Sequence, residues 1–388
     1  MALNLASEQT KLFDRAVSVV TQFVRKKTKI SSTPHRLLPA TLLCASLILG
    51  VQQVFAQVNT SNTTSQRALS EQALFNLGFQ AQKSGNTDKA IELYTQAIAI
   101  NSKFVEAYLE RGLAQVAIGN YEMAITDFNQ IIAIQPTNAA AYTNRSNAYR
   151  LLKNYEAALR DASRAIAINP KFAEGYGNLG VAQSEMKNYE AAIRNFNQFI
   201  IIQPSDAKAY LNRGVVQYEM KNYEAAIKDC TQAIKINPNI AKAYYLCGIV
   251  YYKLNNYETA IKYHNNAIAL DSRTPLFYGG RGSAYFGLKD YQKAINDYNQ
   301  LIILNPKNPM SYGARGSAYL RLNDYEKAIS DYTQAITLDP KNAEIYALRS
   351  GAYAFSGNLL AAQIDARRAC DLGKCNLLED LNKAVSSE

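Results

Sequence analysis

The chain of 388 residues has no tryptophan, two histidines and five cysteines. His35 lies in the N-terminal segment, and His264 lies far from any cysteine pair, so a zinc site built from both residue types is not expected. No Ser-His-Asp set, glycine-rich phosphate loop or pair of catalytic carboxylates stands out. We therefore predict that the protein is not an enzyme and has no metal site and no cofactor.

Positive charge is in excess, but it is not concentrated in the bulk of the chain. The net charge is +10, and residues 1–56 hold seven basic residues against two acidic ones. This leaves a net charge of +5 spread over the other 332 residues. Because nucleic-acid binding needs a dense basic surface, we predict no nucleic-acid partner.

The main positive feature is an alanine that recurs every 34 residues. A fixed period of this length is typical of stacked helix–turn–helix repeats. A small side chain at one register indicates that two helices approach closely there in every unit. The alanines are Ala90, Ala124, Ala158, Ala192, Ala226, Ala260, Ala294, Ala328 and Ala362.

Other positions keep the same register when this alanine is counted as position 20. Position 8 is always glycine or serine, position 4 is tyrosine in the last eight units, and position 32 is proline in six. Apolar residues follow helical spacing on both sides of a polar turn at positions 14–18. Each unit is predicted to be two helices, with a proline-containing turn after the second.

This pattern resembles the tetratricopeptide repeat (TPR) family over most of the chain. The resemblance implies an all-α, right-handed α-solenoid of nine helix pairs, with a capping helix in residues 377–388. The first and last units depart from the pattern, as terminal repeats do. The predicted repeats are 71–104, 105–138, 139–172, 173–206, 207–240, 241–274, 275–308, 309–342 and 343–376.

Arginine at position 7 and aspartate at position 23 occur together or not at all. Units one, four and six lack both residues. This joint presence predicts a salt bridge between the two helices of one repeat, since arginine's planar fork suits a partly buried carboxylate. The predicted pairs are Arg111–Asp127, Arg145–Asp161, Arg213–Asp229, Arg281–Asp297, Arg315–Asp331 and Arg349–Asp365.

Four cysteines follow the N-terminal segment. Cys370 and Cys375 flank a predicted helix end and can form a disulfide in an oxidising compartment, with two free thiols as the alternative. Cys230 and Cys247 fall at inward-facing registers, where we expect small core residues.

The TPR resemblance implies that the first helix of each repeat lines a concave groove. Asparagine recurs at position 6, where it can pair with the backbone of an extended peptide; solvated polar surface is the alternative. Aromatic residues beside this row predict an apolar floor, although the basic residues of a carboxylate clamp are incomplete. The predicted peptide-binding residues are Asn144, Asn178, Asn212, Asn147, Lys208, Tyr218, Tyr245 and Tyr252.

Groove positions in units seven and eight carry unusually small residues. Such a wall is open and can admit a bulky element of a partner, such as a helix. These residues are Gly279, Gly280, Ser283, Gly313, Ala314 and Ser317.

Residues 1–56 do not follow the repeat. A basic region precedes a short apolar stretch, Leu37 to Val51, and small or apolar residues follow it, as in a signal peptide. An uncleaved membrane anchor and a mis-assigned start codon remain as alternatives. Residues 57–70 are polar and predict a flexible linker. We expect a protein that is exported to the periplasm or to the cell exterior, or one that is anchored in a membrane.

These features predict a non-enzymatic scaffold that binds an extended peptide or partner helix of another protein in its groove. The alternatives are a membrane-attached assembly factor that uses residues 1–56, and a regulatory or envelope component that positions a catalytic partner.

Overall fold

The computed structural model describes residues 69–375, and every regular element in this range is an α-helix. The eighteen helices follow one another without a strand between them, which confirms the predicted all-α class. Helices with odd numbers are the first of each repeat. They are α1 Glu71–Lys83, α2 Thr87–Ile100, α3 Val105–Ala117, α4 Tyr121–Ile134, α5 Ala139–Leu151, α6 Tyr155–Ile168, α7 Ala173–Glu185, α8 Tyr189–Ile202, α9 Ala207–Glu219, α10 Tyr223–Ile236, α11 Ala241–Lys253, α12 Tyr257–Leu270, α13 Pro275–Gly287, α14 Tyr291–Leu304, α15 Pro309–Arg321, α16 Tyr325–Leu338, α17 Ala343–Phe355 and α18 Leu359–Asp371.

The first helix of every repeat ends in the same way, with a left-handed residue at position 15. This residue is glycine in repeats 1, 2 and 9, but lysine or asparagine, with φ near 60°, in the other six. In repeat 3 the amide of Asn154 donates to the carbonyl of Tyr149, which closes the helix end. The following helix then starts at once, because the Asn154 side chain caps its first turn.

Helices pack in consecutive pairs, and each pair packs on the next. The first helices of neighbouring repeats also contact one another along most of the array, whereas the second helices are held apart. The first helices therefore lie on the inner side of the solenoid, where a groove is expected.

The recurring small residues lie where the two helices of a repeat cross. All nine position-20 alanines are fully buried. A methyl group added at Gly112 would lie 2.7 Å from the ring of Phe128, at position 24 of the same repeat. Position 8 is glycine wherever position 24 carries a ring. It is serine in repeats 3 and 9, where position 24 is alanine and the hydroxyl instead donates to a backbone carbonyl.

Two predicted segments lie largely outside the described residues. These are residues 1–68, which include the predicted signal or anchor and most of the linker, and residues 376–388, which include the predicted capping helix. Within residues 69–375, no helix is both long and apolar enough to span a bilayer.

Candidate protein-binding groove

Each of the six position-7 arginines forms a bidentate pair with the aspartate of its own repeat. Its Nε and Nη2 atoms donate to the two carboxylate oxygens over 2.6–3.0 Å. The aspartates are buried, while the arginine side chains retain 16–22% exposure. These are the predicted contacts, and they join the two helices of one repeat.

The third guanidinium nitrogen makes a contact that the sequence analysis missed. Nη1 donates to an oxygen at position 25 of the preceding repeat, as from Arg145 to Asn129 at 2.6 Å, so each arginine also ties neighbouring repeats together. A signal was present, because asparagine occurs at position 25 only where the next repeat has the arginine. The acceptors are Thr95, Asn129, Asn197, Asn265, Asn299 and Thr333.

The arginine row is therefore structural. In Arg145 and Arg213 the hydrogen bond to the aspartate raises the pKa of the guanidinium, because the paired carboxylate stabilises its charge. Because three of the five N–H donors of each arginine are used inside the array and its charge is paired with an aspartate, these arginines do not form a row for an anionic ligand.

Repeat 6 has no such pair, and a disulfide lies in its place. Cys230 of α10 and Cys247 of α11 are bonded, with Cα atoms 5.7 Å apart. Both are fully buried, as expected of core residues, but the bond between them was not predicted. Each was assigned to its own repeat, whereas the bond crosses the boundary between repeats 5 and 6. The predicted pair Cys370–Cys375 is also bonded.

The predicted asparagine row is only partly free to bind a peptide. The amide of Asn178 donates to the backbone carbonyl of Thr143 at 2.8 Å, and Asn147 accepts from Arg150. The side chains of Asn144 and Asn212 have no hydrogen bond within residues 69–375, and both are half-buried. The Lys208 side chain is exposed.

A cavity of about 330 Å³ lies further along the same helices, between repeats 5 and 8. It joins two features that the sequence predicted separately, the aromatic floor and the small-residue wall, but none of the asparagines of the row lines it. Its lining residues are Tyr218, Tyr245, Ile249, Tyr252, Lys253, His264, Leu276, Gly279, Gly280, Ser283, Tyr298, Leu301, Asn308, Met310, Ser311 and Ala314.

Two lining residues hold polar atoms without a partner. Both ring nitrogens of His264 and the hydroxyl of Ser311 are buried and make no hydrogen bond in the described part of the chain. Burial, and secondarily the charge of Arg281, lowers the pKa of His264 to about 4. The ring is therefore neutral at physiological pH, with one nitrogen able to donate and the other able to accept.

His264 occupies position 24, which carries a larger ring in repeats 1, 2, 4, 7 and 8. Its ring lies between Gly248 and Gly280, where added methyl groups would approach it to 2.5 and 2.6 Å. It also packs against Tyr245, with ring centroids 5.5 Å apart. The cavity thus lies beside a smaller ring at position 24, two adjacent glycines in α13 and a serine at position 9.

Comparison with known families agrees with this architecture. Models of the tetratricopeptide repeat match residues 83–119, 105–138, 139–172, 162–194, 207–240, 241–273 and 281–351. The chain belongs to the tetratricopeptide repeat family. TPR proteins are generally scaffolds for protein–protein interaction without enzymatic activity.

The chain is similar to several solved structures at low sequence identity, and the first of those named here shows the same fold. The APC/C hetero-tetramer Cut9–Hcn1 has a TM-score of 0.54 and 16% identity, over 80% of this chain and 76% of that one. A tetratricopeptide repeat protein from Parabacteroides merdae has a TM-score of 0.49 and 22% identity, over 64% and 98%. Pseudomonas aeruginosa pilF has a TM-score of 0.49 and 20% identity, over 53% and 94%. No curated protein matches the chain significantly.

Proposed function

We propose that this TPR array binds a segment of a partner protein along its first helices, with the cavity of repeats 5–8 as the anchor site. The observation that carries the proposal is the cavity itself. It gathers three tyrosines predicted as an aromatic floor and is lined mostly by apolar groups, with few polar ones. Ligand sites of proteins usually have this composition.

The asparagines of repeats 3–5 would extend the site toward the N-terminus. Asn144 and Asn212 keep amide groups that can donate to and accept from the backbone of an extended peptide, while Asn178 already uses its donor. Backbone pairing would then add affinity, and the cavity would select the side chain that anchors the segment.

Site-specific photocrosslinking tests where the partner lies. A benzophenone amino acid at Tyr252, in the cavity, or at Asn212 should give a crosslinked adduct in cells. The same group at Ile201, which is 70% exposed on α8 and outside the cavity, should not. Equal adducts from all three positions, or an adduct from Ile201 alone, would contradict groove binding.

We also propose that the array works outside the cytoplasm, after export directed by residues 1–56. Two bonded cysteine pairs support this, because disulfides persist in oxidising compartments. Sequencing the N-terminus of protein purified from its host tests it, and a start near Gln57 is expected. An intact 1–56 segment recovered in the membrane fraction would instead support the membrane-attached assembly factor.

A further inference from the structure

The cavity has a polar end that an apolar ligand would leave unsatisfied. His264 is fully buried and Ser311 is 1% exposed, yet both line the cavity and neither side chain has a hydrogen-bond partner within residues 69–375. Buried polar groups normally have partners, and leaving one without a partner is unfavourable. A ligand that carries a hydrogen-bonding group into the cavity would remove this penalty.

The rest of the wall favours an aromatic ring. Tyr245 and Tyr252 lie on one helix, and Tyr298 with Leu301 on another. Aromatic rings pair favourably in tilted and edge-to-face arrangements, as Tyr245 already does with Phe277 at 5.3 Å. Burial raises the pKa of Tyr298 to about 12, so its phenol stays neutral.

The cavity has too few basic groups to bind an anionic ligand well. Lys253 is the one charged side chain among the lining residues. The nearby Arg281 is already bound to Asp297 and Asn265. A phosphate or carboxylate would therefore lack the paired basic groups that bury such charges well.

We propose that the cavity binds one neutral, hydroxyl-bearing aromatic side chain, a tyrosine of the partner protein, with its hydroxyl directed to His264 and Ser311. This inference rests on the proposed function. Because both groups are covered, binding requires a small side-chain movement, and the Tyr245 ring that packs on His264 is the group placed to make it. The volume of about 330 Å³ is at the small end for ligand sites, which suits a single large side chain.

Two small molecules test this chemistry on the full chain. The probe p-cresol reproduces the tyrosine side chain, and toluene reproduces that of phenylalanine. Titrations followed by ligand-observed NMR should show p-cresol binding about fivefold more tightly, as one additional net hydrogen bond would give. Equal affinity of the two probes would overturn the inference.

Two substitutions locate the effect. His264→Phe keeps a ring that repeats 2 and 4 already accommodate at this position. It should reduce the preference for p-cresol, because only Ser311 remains as a partner, while toluene still binds. Gly279→Leu should exclude both probes, because a β-carbon there fits and the longer side chain would extend toward the cavity. The matched control is Gly351→Leu, a helical glycine with open space around it in repeat 9, which should bind both probes normally.

The outcomes separate this inference from the proposed function. If His264→Phe keeps the full preference for p-cresol, the hydroxyl is not recognised by His264 and the inference fails. If, in that case, Gly279→Leu still removes the partner crosslink from Tyr252, the partner binds in the groove and the proposed function stands without the inference. A Gly279→Leu variant that binds both probes normally would place them elsewhere and contradict the inference. Helical signal and melting of each variant establish that it is folded.

Discussion

Repeats 6 and 8 are built on the same 34-residue frame but are held by different interactions. In repeat 8, Arg315 joins Asp331 of its own repeat and Asn299 of the preceding one. In repeat 6, Cys247 takes the arginine's position and bonds to Cys230 of the preceding repeat. The frame tolerates either a charged or a covalent link between repeats, provided that the helix crossing stays close.

The two repeats also differ in whether the polar group at position 24 has a hydrogen-bond partner. In repeat 8 the hydroxyl of Tyr332, at position 24, hydrogen-bonds with that of Ser317. In repeat 6 the same position is His264, whose nitrogens have no partner in the described chain. Residues of both repeats line the cavity, and His264 of repeat 6, where the regular pattern is broken, is one of them. Departures from local rules are expected at functional sites.

The largest expected effect concerns His264 and acid. The pKa of His264 is about 4 in the folded chain and ordinarily about 6.5, so between these values the unfolded chain binds a proton that the folded chain does not. The contribution of His264 to the free energy of unfolding is therefore fully present above about pH 6.5. It falls by about 3 kcal/mol as the pH is lowered to 4.

Urea unfolding at pH 7 and pH 4 measures this effect, with His264→Phe as the control. The variant should lose about 3 kcal/mol less than the natural chain over this interval. Identical losses in both proteins would show that His264 is not buried as a neutral ring.

The charged link of repeat 8 gives the next effect. Asp331→Ala leaves a half-buried guanidinium without its carboxylate, so we expect the free energy of unfolding to fall by about 2 kcal/mol. Glu326→Ala removes an exposed carboxylate from the same helix and should change little. Comparable losses from the two variants in urea would mean that the pair contributes no more than a surface charge.

The close helix crossing predicts opposite effects for two glycines. Gly112→Ala places a methyl group 2.7 Å from the Phe128 ring and should destabilise the chain by about 1–2 kcal/mol. Gly351→Ala meets nothing within 4 Å and should stabilise it by about 0.5–1 kcal/mol, because alanine is the better helix former. Thermal unfolding compares them, and equal shifts of the same sign would contradict the described packing.

The smallest effect is at the turn between helices. Lys289 has φ of 62°, a conformation that glycine adopts without strain and that glycine already occupies in repeats 1, 2 and 9. Lys289→Gly should therefore raise the free energy of unfolding by about 0.5–1 kcal/mol in urea. A clear loss of stability would mean that the lysine side chain makes a contact that outweighs the strain.

The fold could be predicted from the sequence because the same residue pattern recurs in every repeat. The spacing of Ala90 and its equivalents was enough for the helix pairs, and the joint occurrence of arginine and aspartate was enough for the ion pairs. These are local relations inside one repeat. Contacts across a repeat boundary, such as Cys230 with Cys247 or Arg145 with Asn129, were missed because they appear only when neighbouring units are compared.

The site was only partly predictable for the same reason. The sequence predicted Tyr245 in an aromatic floor and Gly279 in a small-residue wall. The cavity that they share depends on how repeats 6 and 7 stack. His264 is fully buried among the packed helices. Its ring nitrogens have no hydrogen-bond partner because the two residues that flank the ring are glycines. No sequence motif predicts this arrangement.

A crystal structure of the chain with bound 4-bromophenol shows whether the cavity recognises a phenol through its hydroxyl. We predict one dominant bromine anomalous peak inside the cavity of repeats 5–8, with the phenol oxygen within about 3 Å of a ring nitrogen of His264 or the hydroxyl of Ser311. Bromine bound elsewhere, or inside the cavity with its oxygen turned away from both groups, would contradict the account.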